Sequence, residues 1–370
     1  MNKFLERVES LRPSTPWQRI ADSPVTKSYT DWSEFERALS LAGKVDFAAP
    51  RGGWDLVLGP CGGGKAVEID ESLIDPSASR LYVEHLARSR TAYFLDLASD
   101  EHLSVALCEP VGPAWTSQHV IVNVEPGARA SLAIYAPRRA PGTTGVEVRV
   151  KKDARLRLAV IYDAAEAGAS ALVLRKALSV GADVVSLTLS RGGSMTRVDE
   201  ASIMSSGSRL VHSSAGIAAN SRLDNVVDTI QLGHDSDSYV SGLGVALGRS
   251  LVAVRGTSVI GQGAARSSSR FFVEALLVGD EARAYTMPMM RIDTGEVGVA
   301  THRSAQYRIP TDELFYLETR GLSEAEATYM IVRGRVESAV GVLDDQRLRE
   351  IAWSVGEGWL ALLLQRPLDA

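Results

Sequence analysis

The stretch Val146-Glu147-Val148-Arg149-Val150-Lys151-Lys152-Asp153-Ala154-Arg155-Leu156-Arg157-Leu158-Ala159-Val160 carries the clearest architectural signal in the chain. Val146, Val148 and Val150 alternate with Glu147, Arg149 and Lys151, and after Asp153-Ala154 the run Leu156, Leu158, Val160 alternates with Arg155 and Arg157. A period of two sends successive side chains to opposite faces, so two strands are predicted, each with one apolar face. Turn-forming letters ahead of an alternating run recur at Gly127-Ala128, Gly181-Ala182, Gly207-Ser208, Gly233-His234 and Gly263-Ala264. With Asp153-Ala154 included, the successive offsets are 26, 28, 26, 26 and 30 residues, inside the range of a solenoid repeat. Two-residue Asn-Gly or Asp-Gly hairpin turns are absent. Rungs stacked into a parallel β-helix therefore account for the pattern better than a closed barrel of hairpins. Small residues such as Ser186, Thr188, Ser190 and Ser267-Ser268-Ser269 suit its tight corners and ladders.

The strand pattern begins at Trp54-Asp55-Leu56-Val57-Leu58 and includes Ile121-Val122-Asn123-Val124. The predicted organisation is an N-terminal helical region over residues 1–53, a β-helix over 54–299 and a C-terminal helical region over 300–370. In the first region Phe4, Val8 and Leu11 recur at helical spacing, and Pro13, Pro16 and Pro24 interrupt the chain after that helix. Asp31-Trp32-Ser33-Glu34 resembles a capping box ahead of the stripe Phe35, Ala38, Leu39.

In the last region Pro310 cannot continue a strand ladder, and Thr311 or Asp312 can cap a helix running to Arg320 and stopping at Gly321. Ser323 and Glu326 form a capping box for a second helix, with Ala327, Met330 and Ile331 on its apolar face. A third, amphipathic helix comes after Asp344, marked by Leu348, Ile351, Ala352, Val355, Trp359, Leu360 and Leu363.

The letters of this tail carry a resemblance. Leu314-Phe315-Tyr316-Leu317, Arg320-Gly321-Leu322, Glu326-Ala327 and Gly334 stand in the order seen at the C-terminus of SufB/SufD proteins of the Suf iron-sulfur cluster assembly machinery. Upstream, Pro288, Glu296-Val297 and His302 match the same family. Ala300 stands where SufD-like members have a Cys, and Arg303-Ser304-Ala305 replaces their Gly-Ala-Thr. The likeness is specific from about Val240 to Glu337 and diffuse before it. It implies a right-handed parallel β-helix flanked by helices, dimerising through the solenoid with a SufB-like or identical subunit. It further implies a SufC-like ATPase docked on the C-terminal helices, at Phe315, Tyr316, Leu317, Arg320, Gly321, Met330 and Val332.

Composition agrees with a globular chain of many turns: 370 residues, 45% hydrophobic, 23% charged, 32 glycines. A net charge of -5 without a basic run argues against duplex binding, which depends on neutralising phosphates. No signal peptide and no apolar run of about 18 residues is present, so no membrane role is expected and the cytoplasm is the default address. Cys61 and Cys108 have no ligand spacing, so a permanent iron-sulfur or zinc site from this chain's own thiolates is not expected, and Cys108 reads as a small buried residue.

Three motifs have competing readings. Gly59-Pro60-Cys61-Gly62-Gly63-Gly64-Lys65 has the spacing of a phosphate loop, but Ala66 lacks the magnesium-binding hydroxyl and Val67-Glu68-Ile69 reads as strand, so it is assigned as a glycine-rich turn. His234-Asp235-Ser236-Asp237-Ser238 holds the residue types of a hydrolase triad, yet neighbours in a row cannot by themselves supply its geometry, so a structural corner is expected. Asp293, Glu296 and His302 offer imidazole and carboxylate donors suited to ferrous iron, with His302 and Glu296 the candidate metal residues. The bland alternative for His302 is a loop histidine. His85, His102, His119 and His212 have no ligand-spaced partners and read as ordinary surface or core residues.

The expected function is that of a non-enzymatic SufB/SufD-like subunit, closer to SufD, handling a transient iron-sulfur cluster or iron at a dimer interface. Two alternatives are a β-helix carbohydrate-active enzyme and a purely structural interaction solenoid.

Overall fold

The computed structural model describes residues 2–18 and 29–364, with side chains to residue 362. Pro24 and the side chain of Leu363, both named above, lie outside the described residues. The chain opens with α1 (Lys3–Leu11), α2 (Trp32–Ser40), β1 (Asp46–Ala48), β2 (Leu56–Leu58), β3 (Ala66–Glu68) and α3 (Arg80–Ser89). The first rungs are β4 (Thr91–Leu97), β5 (Glu101–Leu107), the short β6 (Glu109–Val111), β7 (Thr116–Val124) and β8 (Arg129–Pro137). Next come β9 (Gly142–Val150), β10 (Arg155–Asp163), β11 (Ala169–Leu178), β12 (Asp183–Arg191), β13 (Met195–Met204) and β14 (Arg209–Ala219). The last rungs are β15 (Arg222–Gln231), β16 (Asp237–Leu247), β17 (Leu251–Ile260), β18 (Ser267–Val278), β19 (Arg283–Ile292) and β20 (Val297–Arg308). The helices α4 (Thr311–Glu318), α5 (Glu324–Val340) and α6 (Gln346–Leu364) close the chain.

The predicted parallel β-helix is present, with about eight turns. Two nine-stranded sheets face each other, in the orders β2-β5-β8-β10-β12-β14-β16-β18-β20 and β19-β17-β15-β13-β11-β9-β7-β4-β3. Neighbours in both are parallel except the terminal β3–β4 pair. The quoted stretch is the rung β9–β10, with Val146, Val148, Val150, Leu156, Leu158 and Val160 all in the lumen core. β20 runs past the expected boundary at Val299 and ends only at Arg308, where Ile309-Pro310 stops the ladder.

One corner of each rung is held by a residue in the left-handed region. These are Gly127, Asp153, Gly181, Gly207, Asp235 and Arg266, with φ between 56° and 72°. Each donates its backbone N–H to the next turn: Gly127 to Lys152, Asp153 to Val180, Gly181 to Ser206, Gly207 to His234, Asp235 to Ala265 and Arg266 to Glu296. Four of the six markers read from the sequence fall on this column. At Gly233 and Gly263 the corner instead uses Asp235 and Arg266, because the longer turns delay the bend. Arg266 is an unfavourable residue for that conformation, and its guanidinium is clamped on the Asp235 carboxylate at 2.6 and 2.8 Å.

The outward faces are covered, which period-two reading alone does not show. α5 and α6 lie on the β8–β18 sheet, burying Ala159, Ile161, Leu187, Leu189, Val245 and Leu276 against Val332, Val336, Leu348, Ala352 and Leu360. The N-terminal layer lies on the other sheet, packing Val8, Phe35, Ile74, Leu81 and Leu86 against Ile121, Ala171, Val173 and Met195. Glu147, predicted to face solvent, is therefore fully buried, and its carboxylate accepts hydrogen bonds from Ser72 and from the Leu73 N–H. Asp31 caps α2, accepting from the Ser33 N–H, so the expected cap forms through the second helical residue rather than as a capping box with Glu34. Asp345, ahead of α6, accepts the Leu348 N–H and the Ser131 hydroxyl and so pins that helix to the sheet.

The cysteine reading needs a correction. Cys108 is buried, but it is disulfide-bonded to Cys61, 47 residues away in sequence. Sequence spacing could not show this, because the pairing depends on β2 lying beside β5. Closing a loop of that length limits the unfolded chain by about 4 kcal/mol in the chain-entropy treatment. The glycine-rich turn carries Cys61 over Cys108, and β3 comes after it as strand. Among the described residues no helix is long and apolar enough to cross a membrane.

Candidate functional site

Among the described residues the solenoid's last rung is less covered than the others, although the Tyr29 ring packs on Tyr285 of β19 at 4.9 Å between centroids. β19 and β20 are the terminal strands of their sheets, so each leaves one backbone edge without a neighbour. Their side chains are mostly exposed, including Tyr285, Met289, Ile292 and Val299 at 40–43%. His302 lies on β20, in strand rather than loop, with its Cα in register with Phe271. Phe271 belongs to the lumen core, and so do its register partner Val240 and the neighbouring column residue His212. Parallel in-register residues share a face, so His302 stands at the open mouth of the lumen, on the face of Ala300 and Ser304. Across that mouth Ser304 shares a 2.6 Å hydrogen bond with Thr286 of β19.

The other proposed iron ligands do not join it. Glu296 precedes β20, and six residues of extended chain place it on the order of 15–20 Å from His302. Its carbonyl accepts the Arg266 N–H, while Asp293 accepts from Arg291 at 3.1 Å. The three residues are close in sequence, but the extended backbone of the strand separates them in space. Among the described residues no group of three or more His, Cys, Asp or Glu side chains is arranged to hold a metal.

Deeper in the lumen sits a polar cluster that sequence reasoning missed. Lys176 on β11, Glu200 on β13 and His212 on β14 are each about 1% exposed. Lys176 Nζ lies 3.1 Å from His212 Nδ1 and 3.8 Å from a Glu200 oxygen, and His212 Nε2 lies 3.0 Å from the same carboxylate. Ser186 bonds His212 Nδ1 at 2.8 Å, while Thr188 and Ser214 donate to Glu200 at 2.7 and 2.6 Å. Burial pushes the Lys176 ammonium down to about 8 against the pull of Glu200. Burial acts to raise the Glu200 pKa, and His212 and Lys176 outweigh it and hold the carboxyl at about 2. Burial and Lys176 together lower His212. A signal existed in the sequence. Lys176 falls in step with Leu172, Leu174 and Leu178, and Glu200 with Val198 and Met204, so both occupy core positions of an alternating strand.

The second candidate surface is the α4–α5 corner. α4 has no side-chain cap, since Pro310 takes the cap position, and it ends at Glu318 with Gly321 at φ 92° closing the bend. The Ser323–Glu326 capping box is formed as read. Phe315 is 65% and Tyr316 57% exposed, Leu317 is half-buried, and the Arg320 guanidinium lies 5.2 Å from the Tyr316 ring centre. With Asp312, Glu313 and Ile331, Tyr316 and Leu317 line a hollow of about 380 Å³. Met330 is exposed, but Val332 is fully buried against the sheet. Of the expected apolar face of α5, Ala327 is buried and Ile331 half-buried, while Met330 points to solvent. The buried residues of α5 are Ala327 and the stripe Thr328, Val332, Val336 and Val340, four residues apart, because the sheet beneath selects the face. Val332 is a core residue and not a docking residue.

The expected corner at His234–Ser238 is also formed. The His234 ring meets the Asp235 carboxylate at 2.7 Å, while Ser236 is buried and bonded to Ser267 at 2.9 Å.

Comparison with known proteins gives a consistent result. A family profile described as "SUF system FeS cluster assembly, SufBD core domain" matches residues 110–335, more than half of the chain. The iron-sulfur cluster assembly SufBD family protein slr0074 of Synechocystis is 31% identical over 111 residues, covering 30% of this chain and 23% of that protein. The SufBD family protein ML0593 of Mycobacterium leprae is 29% identical over 194 residues, 52% of this chain and 22% of that protein. The SufBD family protein Rv1462 of Mycobacterium tuberculosis is 39% identical over 75 residues, 20% of this chain and 19% of that protein. The matched stretches span less than a quarter of the length of these relatives.

Proposed function

Because the chain belongs to the SufBD family of iron-sulfur cluster assembly proteins, we propose that it serves as a non-catalytic subunit of a Suf complex. It joins a SufB-like or identical second subunit through its last rung and carries a SufC-like ATPase on the α4–α5 corner. The observation that carries this reading is the open end of the solenoid: among the described residues neither outer strand edge has a neighbouring strand, and most side chains around the lumen mouth are exposed. Edges left so need a partner strand or a partner surface. Iron or a nascent cluster is cargo at that junction, and His302 offers it one imidazole nitrogen. Ala300 at the position of the SufD cysteine, with Cys61 and Cys108 tied to each other, leaves thiolate or sulfide to the partner. That favours a SufD-like supporting role over a sulfur-accepting scaffold. ATP hydrolysis belongs to the ATPase subunit. The address we assign is the cytoplasm, although the disulfide pulls the other way, since cytoplasmic reductants keep such pairs open.

The α4–α5 corner provides the test. Met330→Glu and Phe315→Glu change exposed residues, so each leaves stability within about 0.5 kcal/mol and removes the ATPase from a co-expressed, affinity-purified complex. Val332→Glu puts an unpaired carboxylate in a dry core and disrupts the protein itself. Retention of the ATPase by a folded Phe315→Glu, Met330→Glu double variant refutes docking here. The polysaccharide-cleaving alternative draws no support from the family match.

A further inference from the structure

We propose that His85 and His119 form a pH-sensitive latch that holds the N-terminal helical layer on the solenoid and releases it on acidification. His85 is on α3 of the layer and His119 on β7, and both are fully buried. Their rings meet at 2.7 Å, His85 Nε2 to His119 Nδ1. His85 Nδ1 lies 2.8 Å from the Thr143 hydroxyl, which lies 2.9 Å from the Ser117 hydroxyl, which in turn accepts the Trp115 indole N–H at 3.2 Å. At the other end His119 Nε2 faces Glu147 Oε1 at 3.3 Å, out of line for a good hydrogen bond.

One placement of protons runs through the whole chain. Ser117 donates to Thr143, Thr143 donates to His85 Nδ1, His85 Nε2–H donates to His119 Nδ1, and His119 Nε2–H points to Glu147. Both rings are then neutral. One added proton still leaves a lone pair between the rings, with the charged ring set beside Glu147 on His119, but a proton on His85 as well would set two N–H groups against each other across the 2.7 Å contact.

The site is built for this contact. A Cβ on Gly145 would lie 2.2 Å from His85 Nε2 and 2.6 Å from His119 Nδ1, so β9 carries no side chain where the rings meet. Glu147 is held from the layer side as well, by Ser72 and the Leu73 N–H. The surrounding charges oppose an added proton. On α3, Glu84 is already engaged by Arg12, Arg80 and Arg88, and Ser89 reaches His85 Nδ1 only at 3.5 Å. From the solenoid, Arg138 and Arg175 act on His85 as positive charges, Asp199 is engaged by Arg175 and Arg197, and Arg149 contacts Glu147 at 3.3 Å. Among the described residues Glu147 is the carboxylate that faces the pair, and of the two rings it meets His119. Burial first, then His119, Arg138 and Arg175, hold His85 well below the ordinary imidazole range.

The sign comes from linkage. His85 stays neutral in the closed layer and titrates near 6.5 once released. Closure is therefore complete above about pH 6.5 and weakens as pH falls, by about tenfold per unit while His85 gains its proton only on release. Release bares the outer face of β7, β9 and β11.

Two measurements on the full chain decide it. Hydrogen exchange of α3, corrected for the intrinsic pH dependence of exchange, is compared at pH 7.5 and 5.5. The opening constant of α3 rises about tenfold relative to β13 and β15, and the rise disappears in His85→Gln. Equal opening at both values, or a rise that persists in a folded His85→Gln protein, overturns the latch. Should that variant fail to fold, selective ¹⁵N-histidine spectra of the unaltered protein settle the point. A His85 ring that stays neutral down to the release transition supports it, and a His85 ring that takes up its proton near 6.5 in the closed protein refutes it.

Discussion

His302 is the residue on which the chemical claim rests, and its position makes the claim measurable. It is exposed on β20 with its column partner Phe271 beneath it, so removing the ring leaves no cavity in the core. His302→Ala should keep folding and ATPase binding while lowering iron and sulfide recovered from a complex reconstituted without oxygen; equal content would reduce His302 to a structural strand residue. Glu200 behaves oppositely because it is buried. Glu200→Ala leaves Lys176 and His212 in the lumen without their counter-charge, at a cost of about 3–5 kcal/mol in denaturant unfolding. Its folded value, about 2, is below the ordinary glutamate value near 4.3, so its stabilisation is present above about pH 4.3 and is lost as pH falls toward 2. A stability difference between wild type and Glu200→Ala that stays constant from pH 6 to 3 would contradict that assignment.

Elements are placed here by turns as much as by strands. The left-handed corner column is legible at Gly127, Asp153, Gly181 and Gly207, since glycine and aspartate tolerate that conformation. It is not legible at Arg266, whose backbone is stabilised by a neighbour on the previous turn rather than by its own letter. At Gly181, φ is 72° and an added Cβ would lie 2.2 Å from the Asp153 carboxylate. Gly181→Ala should therefore destabilise by about 1–2 kcal/mol, read as a lower urea midpoint with unchanged slope, whereas Gly127→Ala meets no atom within 4 Å and should cost less. The helix pair after the solenoid divides the same way. Its capping box and bend glycine are local and legible in the letters, but the face that α5 buries is chosen by the sheet under it.

Taken whole, the described residues have covered flanks and an open end at β19 and β20, and the assembly proposed above uses that end. Charges on the open end should interfere with assembly: Tyr285→Lys with Val299→Lys should shift the protein or its complex to lower mass by light scattering, leaving the strand signal in circular dichroism unchanged. An unaltered mass would move the interface elsewhere. The parallel solenoid, the flanking helices and the family are all readable from the letters, because period-two alternation, corner chemistry and helix caps are set by residues close along the chain. Which groups meet is a matter of packing. Packing put Cys61 on Cys108 and drew Lys176, Glu200 and His212 into one lumen cluster. It also joined His85 to His119, separated Glu296 from His302 and buried Val332. Those outcomes depend on register between turns and on which layer covers which face, and a period of about 26 to 31 residues per turn places the partners too far apart in sequence for local pattern to pair them.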